Sequence, residues 1–280
     1  MSSGIPWPYA KQDALTDPVS LAGLYEDLPK DPSALRDIVS QLIVHVSWAA
    51  GYGFSSDLAM PRDTLAVVDR LKAIQTAFPG SLAAQRPAEK RTFGTCRDYS
   101  LMLCSMLRQR SVPARVRCGF ATYFSQAPYE DHWVCEYWSP DHTRWIRADA
   151  QLDQLQRDEL SITFDCADLP DGVFLSGGQA WTLARSGAAA PGDFGHGEAR
   201  GSWFLQINLH RDLLALANQH MSAWDTWRNA TASSRMLGDA DIASGDHLAR
   251  AIEMAECAAD GITQLREMAA RHRTPPWPSP

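Results

Sequence analysis

Apolar residues recur at helical spacing over most of this chain and at strand spacing over a few short stretches. Residues 1–19 are Pro-rich and predict an irregular arm. Asp31-Pro32-Ser33-Ala34 then opens a helix whose apolar positions run Leu35, Ile38, Val39, Leu42, Ile43, Val46 and on to Trp48, ending near Gly51. Pro61-Arg62-Asp63 opens another, through Leu65, Val68, Leu71 and Ile74. After a polar loop at 80–94, Thr95 and Asp98 form a capping-box-like start with Asp in place of Glu. The block Leu101, Met102, Leu103, Cys104, Met106, Leu107 carries that third helix to Arg108 and Arg110. Their charges suit the negative end of the dipole, and Pro113 forbids continuation.

Val112 to Phe120 alternates, with Ala114, Val116, Cys118 and Phe120 inward and Arg115 and Arg117 outward, a half-buried strand. Residues 132–138 and 144–150 are rich in aromatic and β-branched types and flank turn material at 139–143. With 140–143 as the loop, Glu136 faces Arg147, Trp138 faces Trp145, and Val134 faces Asp149. The reverse side pairs Tyr137 with Ile146, Cys135 with Ala148 and Trp133 with Ala150, all core material. A slip by one residue exchanges the faces and loses every one of these matches. Further on, 170–185 reads as helix with a Gly177-Gly178 interruption, and 187–192 as loop. Helices are expected over 203–218 and 247–271, and 274–280 is a tail. Helix, then three strands, flanked by helices, gives an α+β fold.

The chemistry sits where the third helix starts. Cys96 lies in its first turn, where unpaired N–H groups and the positive dipole end favour a thiolate and lower its pKa below that of a free thiol. The plainer alternative is a cysteine acting as a small buried hydrophobe. A nucleophilic thiol needs an imidazole to take its proton, and the imidazole needs an acceptor to fix its tautomer. His132 lies diagonal to Asp149 in the proposed register, about 7–8 Å between backbones. Taken singly, a satisfied sheet histidine and a strand-ending cap account for them equally well.

Gly94-Thr95-Cys96-Arg97-Asp98, Glu130-Asp131-His132-Trp133-Val134 and Arg147-Ala148-Asp149-Ala150-Gln151-Leu152-Asp153 resemble the transglutaminase-like superfamily, whose core has Cys on a helix and His and Asp on the following strands. The likeness includes Val112-Pro113-Ala114-Arg115 and reaches Arg211-Asp212-Leu213-Leu214-Ala215-Leu216. It covers most of residues 20–230 and is similar to bacterial members of that group. It implies a cysteine-protease-like core with a catalytic domain over 20–230 and a helical extension over 231–273 packed on it. It also implies Cys96 as nucleophile, His132 as general base and acid, and Asp149 as orienter of His132.

In that reading the oxyanion meets the Cys96 N–H and a second donor. Trp48 is a candidate through its indole N–H, with a buried core tryptophan as its alternative; Tyr99 either lines the pocket or packs. The substrate is a peptide, amide or thioester. Water as acceptor gives a peptidase or amidase, and an amine gives a transamidase or amide-forming synthase. Arg115, Arg117 and Arg147 are near enough to bind a carboxylate, unless Arg147 is engaged by Glu136. The rival from another class is a catalytically silent binding or scaffold module on the same fold. A redox sensor is disfavoured, because Cys104 lies about 12 Å from Cys96 along the helix.

Composition narrows the rest. Hydrophobic residues at 45% and charged residues at 21% are those of a soluble globular chain. A net charge of −7 and pI near 5.6 argue against nucleic acid or an anionic membrane as partner. Residues 1–8 show no secretory signal, and no apolar run is long enough for a membrane span. Six cysteines, with Cys104, Cys118 and Cys135 inside apolar runs, read as reduced core residues of a cytoplasmic protein. No Cys-x-x-Cys or short Cys–His spacing is present, so neither a metal nor another cofactor is expected.

Overall fold

The first helix stops well short of Gly51. The computed structural model describes residues 7–55, 65–124, 127–219, 236–258 and 261–271, and in it α1 spans Pro32–Ser40. Asp31 caps it by accepting from the Ala34 N–H at 2.9 Å, with Pro32 in the first turn. At the far end the Ser40 hydroxyl donates to the Asp37 carbonyl at 2.8 Å, a local bond that competes with helix continuation. The chain then enters β1 (Ile43–His45), which pairs in parallel with β2 (Thr92–Gly94) and sets His45 beside Gly94. Ile43 and Val44 are β-branched and fully buried, so strand pairing overrides the helical period they also fit. Val46–Tyr52, which contains Trp48, is a 3-10 helix.

α2 spans Val67–Ala77; its expected start at Pro61 lies outside the described residues. α3 (Cys96–Gln109) forms as its pattern predicts. β3 (Ala114–Ala121) is buried at every position, so Arg115 and Arg117 are not on a solvent face. Each is covered because it has charge partners: Arg115 donates to Glu136 at 2.8 Å and lies over the Trp145 ring, and Arg117 donates to Asp212 and Glu256, both at 2.8 Å.

β4 (Tyr129–Ser139) and β5 (Arg144–Ala148) form the expected hairpin. Glu136 faces Arg147, Tyr137 faces Ile146, Trp138 faces Trp145 and Cys135 faces Ala148. The ladder ends there. The Asp149 N–H turns away to the Cys166 carbonyl at 2.8 Å, so Asp149 sits one step past the paired strand. A short helix, α4 (Gln154–Glu159), follows.

The Gly-Gly pair opens a helix instead of interrupting one. β6 (Phe174–Ser176) leads into α5 (Gly177–Arg185), where Ser176 and Gln179 make a capping box. β7 (Phe194–His196) and β8 (Ala199–Arg200) precede α6 (Ser202–Leu216). The helix expected over 247–271 starts earlier and is divided into α7 (Asp239–Cys257) and α8 (Gly261–Arg271). The tail at 274–280 lies outside the described residues.

The larger sheet has the order β6-β3-β4-β7-β8, with β5 also on β4, which makes the fold α+β. Contacts divide the chain into two units, 1–116 with 134–169 and 117–133 with 170–280. The first has α1, β1, α2 and α3 in its core, through Leu35, Val39, Ile43, Leu71, Leu103 and Leu107. In the second, α5 to α8 bury Trp181, Phe204, Leu209, Leu248 and Leu265 together with Phe120 and Phe194.

Candidate functional site

Cys96 is the first residue of α3 and is 8% exposed. Its position is fixed from both sides. The Asp98 carboxylate reaches back to accept from the Thr95 N–H at 2.7 Å and lies 3.2 Å from the Thr95 hydroxyl, completing the expected capping box. Buried Arg70 faces Asp98 at 3.1 Å, a contact of charge and not an aligned hydrogen bond. On the strand leading in, Gly94 is the one residue that fits. A Cβ there would stand 2.9 Å from both Asp98 Oδ2 and Ile43 Cγ2. The next turn is tied by the Ser100 hydroxyl, which donates to the Cys96 carbonyl at 3.0 Å.

Tyr99 is fully buried and donates its hydroxyl to the Ile43 carbonyl at 2.8 Å. Burial pushes that hydroxyl well above its ordinary pKa. The phenol is thus committed to fastening α3 onto β1. Trp48 is half-buried, so it is not a fully enclosed core tryptophan. Its 3-10 helix is capped by His45, whose Nδ1 accepts from the Ser47 N–H at 3.2 Å.

His132 lies on β4 at 2% exposure. Its ring packs edge-on against Phe124 at 4.9 Å and Tyr123 at 5.9 Å, aromatic partners from the segment after β3. Both neighbours along the strand are held by charge. Asp131 pairs with Arg211 at 3.3 Å, and that guanidinium lies over the Trp133 ring at 5.3 Å. Glu130 Oε1 is 2.6 Å from Nδ1 of His196, on β7. That contact and burial oppose each other, and the carboxylate prevails: the His196 pKa is raised.

Asp149 is 1% exposed and pinned at three atoms. Its N–H donates to Cys166, its carbonyl accepts from Arg36 Nε at 2.9 Å, and its Oδ1 accepts from the Gln151 N–H at 2.8 Å. Burial first, and then the Asp149 charge, push the Cys166 thiol up to about 11. Asp153 has other work, capping α4 and pairing with Arg91 at 2.9 Å. Arg36 was not singled out by the sequence, since an arginine on an amphipathic helix reads as solvent-facing. No local pattern distinguishes it.

Arg115, Arg117 and Arg147 all meet carboxylates of the protein itself, Glu136 for the first and third and Asp212 for the second. Among the described residues no group of three or more His, Cys, Asp or Glu side chains could hold a metal ion. The described cysteines 96, 104, 118, 135 and 166 are free thiols and buried. No described helix is long and apolar enough to cross a membrane. Cys96 and Asp149 belong to the first unit and His132 to the second.

Residues 64–150 match the model of the transglutaminase-like superfamily, a stretch that contains Cys96, His132 and Asp149. No curated protein matches the chain significantly. A solved structure from Cytophaga hutchinsonii, described provisionally as a cysteine protease, is similar at 18% identity with a TM-score of 0.35. The match covers 51% of this chain and 41% of that one, so less than half of the relative's length is spanned.

Proposed function

We propose, for a chain that carries a transglutaminase-like core at residues 64–150, thiol-dependent acyl transfer through a thioester on Cys96. The observation that carries this reading is the family match, whose span contains Cys96, His132 and Asp149. The cap at the start of α3 supports it, since it fixes the residue that must attack.

The Cys96 sulfur attacks the carbonyl carbon of an amide or thioester while His132 takes the thiol proton. When the bond to the leaving amine or thiol breaks, His132 returns the proton to that group. Asp149 holds the imidazole in the tautomer this exchange requires. The Cys96 N–H meets the developing oxyanion, and the half-buried Trp48 indole is the candidate second donor. Donors of that kind lower the barrier by about 2.7–4 kcal/mol. Water or an amine then attacks the thioester, giving hydrolysis or transamidation.

The test is a panel of peptides, amides and thioesters incubated with wild type, Cys96→Ala, His132→Ala and Asp149→Asn. An acyl adduct on Cys96, trapped and mapped by mass spectrometry and absent from Cys96→Ala, is the expected result. Turnover should fall roughly 10⁴-fold when a triad member is removed. Iodoacetamide gives a substrate-free readout, with Cys96 labelled ahead of the other thiols. Uniformly slow labelling and no adduct would instead assign the chain to the silent binding modules of this fold.

A further inference from the structure

Arg36 sits on α1 with its side chain 3% exposed, far along the chain from any residue of the proposed triad. Its guanidinium does not serve a surface ion pair alone. Nε donates to the Asp149 carbonyl at 2.9 Å, Nη2 donates to the Leu152 carbonyl, and Nη1 meets Asp37, which is largely exposed. The two carbonyls stand on either side of the bend at 150–151. The N–H of Gln151, inside that bend, donates to Asp149 Oδ1 at 2.8 Å. One rigid, planar cation therefore spans the loop whose interior amide holds the carboxylate.

We infer that Arg36 is a positioning residue for the Asp149 carboxylate. The inference rests on the acyl-transfer reading above and adds to it the group that sets where Asp149 points. The physical case is one of geometry. β5 ends at Ala148, and the Asp149 N–H leaves the ladder for the Cys166 carbonyl. The Asp149 backbone is fixed by two bonds outside any ladder, to Cys166 and to Arg36. Removing the second loosens the segment that carries the Gln151 amide, and with it the carboxylate that accepts from that amide. Lysine at position 36 keeps the charge but offers a point donor that cannot fork across both carbonyls.

The test uses the rate of Cys96 alkylation by iodoacetamide, which requires no known substrate. Arg86 supplies the control. It is another buried arginine that clamps main-chain carbonyls, those of Ser81, Leu82 and Ala84, away from the Asp149 turn. Five proteins are compared with wild type: Arg36→Lys, Arg86→Lys, Asp149→Asn, His132→Ala and the double variant Arg36→Lys/Asp149→Asn. Melting temperature and circular dichroism confirm that each is folded.

Arg36→Lys and Asp149→Asn should each slow Cys96 labelling roughly tenfold to a hundredfold, with the double variant no slower than Asp149→Asn alone. Arg86→Lys should lower the melting temperature without changing the labelling rate. If Arg36→Lys slows labelling no more than Arg86→Lys, or multiplies with Asp149→Asn, the positioning role is overturned while the triad stands. If neither His132→Ala nor Asp149→Asn alters Cys96 labelling, the acyl-transfer reading itself has failed.

Discussion

At the scale of single residues, the approach to Cys96 is set as much by what is missing as by what is present. Gly94 lies where Asp98, Ile43 and Arg70 converge, with Arg70 Nη2 at 3.2 Å from the place a Cβ would take. Gly94→Ala should therefore cost about 1–3 kcal/mol, because two of these neighbours are locked in the cap and its ion pair. Gly178, inside α5, is the contrast, for nothing lies within 4 Å of its would-be Cβ. Gly178 lies in the first turn of α5, where the full interior preference for Ala does not apply, so Gly178→Ala should stabilise by only about 0.5 kcal/mol. Urea unfolding of both variants checks the pair, and an equal effect at the two sites would refute the packing argument. The cap residues Thr95 and Asp98 were readable because capping is local in sequence. Arg36 and Gly94 were not, since the carbonyls that Arg36 meets are distant in sequence and Gly94 is crowded by Ile43 and Arg70 as well as by nearby Asp98.

At the scale of elements, the register of β4 and β5 was legible from Cys135 to Trp138, whereas the expected pairs Val134–Asp149 and Trp133–Ala150 fall beyond the ladder. The faces of the hairpin differ so sharply in character that one register satisfies them all. The Trp138 and Trp145 rings meet edge to face at 5.8 Å, as that register requires. Glu136 is the charge at its centre, 2% exposed and shared by Arg115 at 2.7 Å and Arg147 at 2.9 Å. Glu136→Ala leaves the Arg115 guanidinium buried without its carboxylate, so a loss of about 3–5 kcal/mol is expected. Arg147→Met, at a side chain 22% exposed, should cost on the order of 1 kcal/mol. Equal losses in denaturant titrations would show that the buried pair does not dominate. The early end of α1 was hidden for the opposite reason. Leu42, Ile43 and Val46 fit a helical stripe, and only the distant Thr92–Gly94 segment turns Ile43–His45 into a strand.

At the scale of the whole molecule, the fold class followed from long periodic segments, whereas the small strands β6, β7 and β8 did not. Strands of two or three residues carry too little pattern to read, and they exist by pairing with β3 and β4 or with each other. β7 brings His196 to Glu130, and that contact links folding of the second unit to pH. The charges around His196 are Glu130 and Asp131 on β4 and Arg211 on α6; its bond to Glu130 raises its pKa from the ordinary 6.5. A histidine whose folded-state pKa is raised binds its proton more tightly when native. It adds stability that is fully present below about pH 6.5 and fades as pH climbs through the native value. The stability difference between wild type and His196→Gln should therefore be greatest near pH 6 and shrink steadily toward pH 9. Urea midpoints across that range measure it. A difference that stayed constant with pH would mean that the imidazole packs against β4 without carrying the charge.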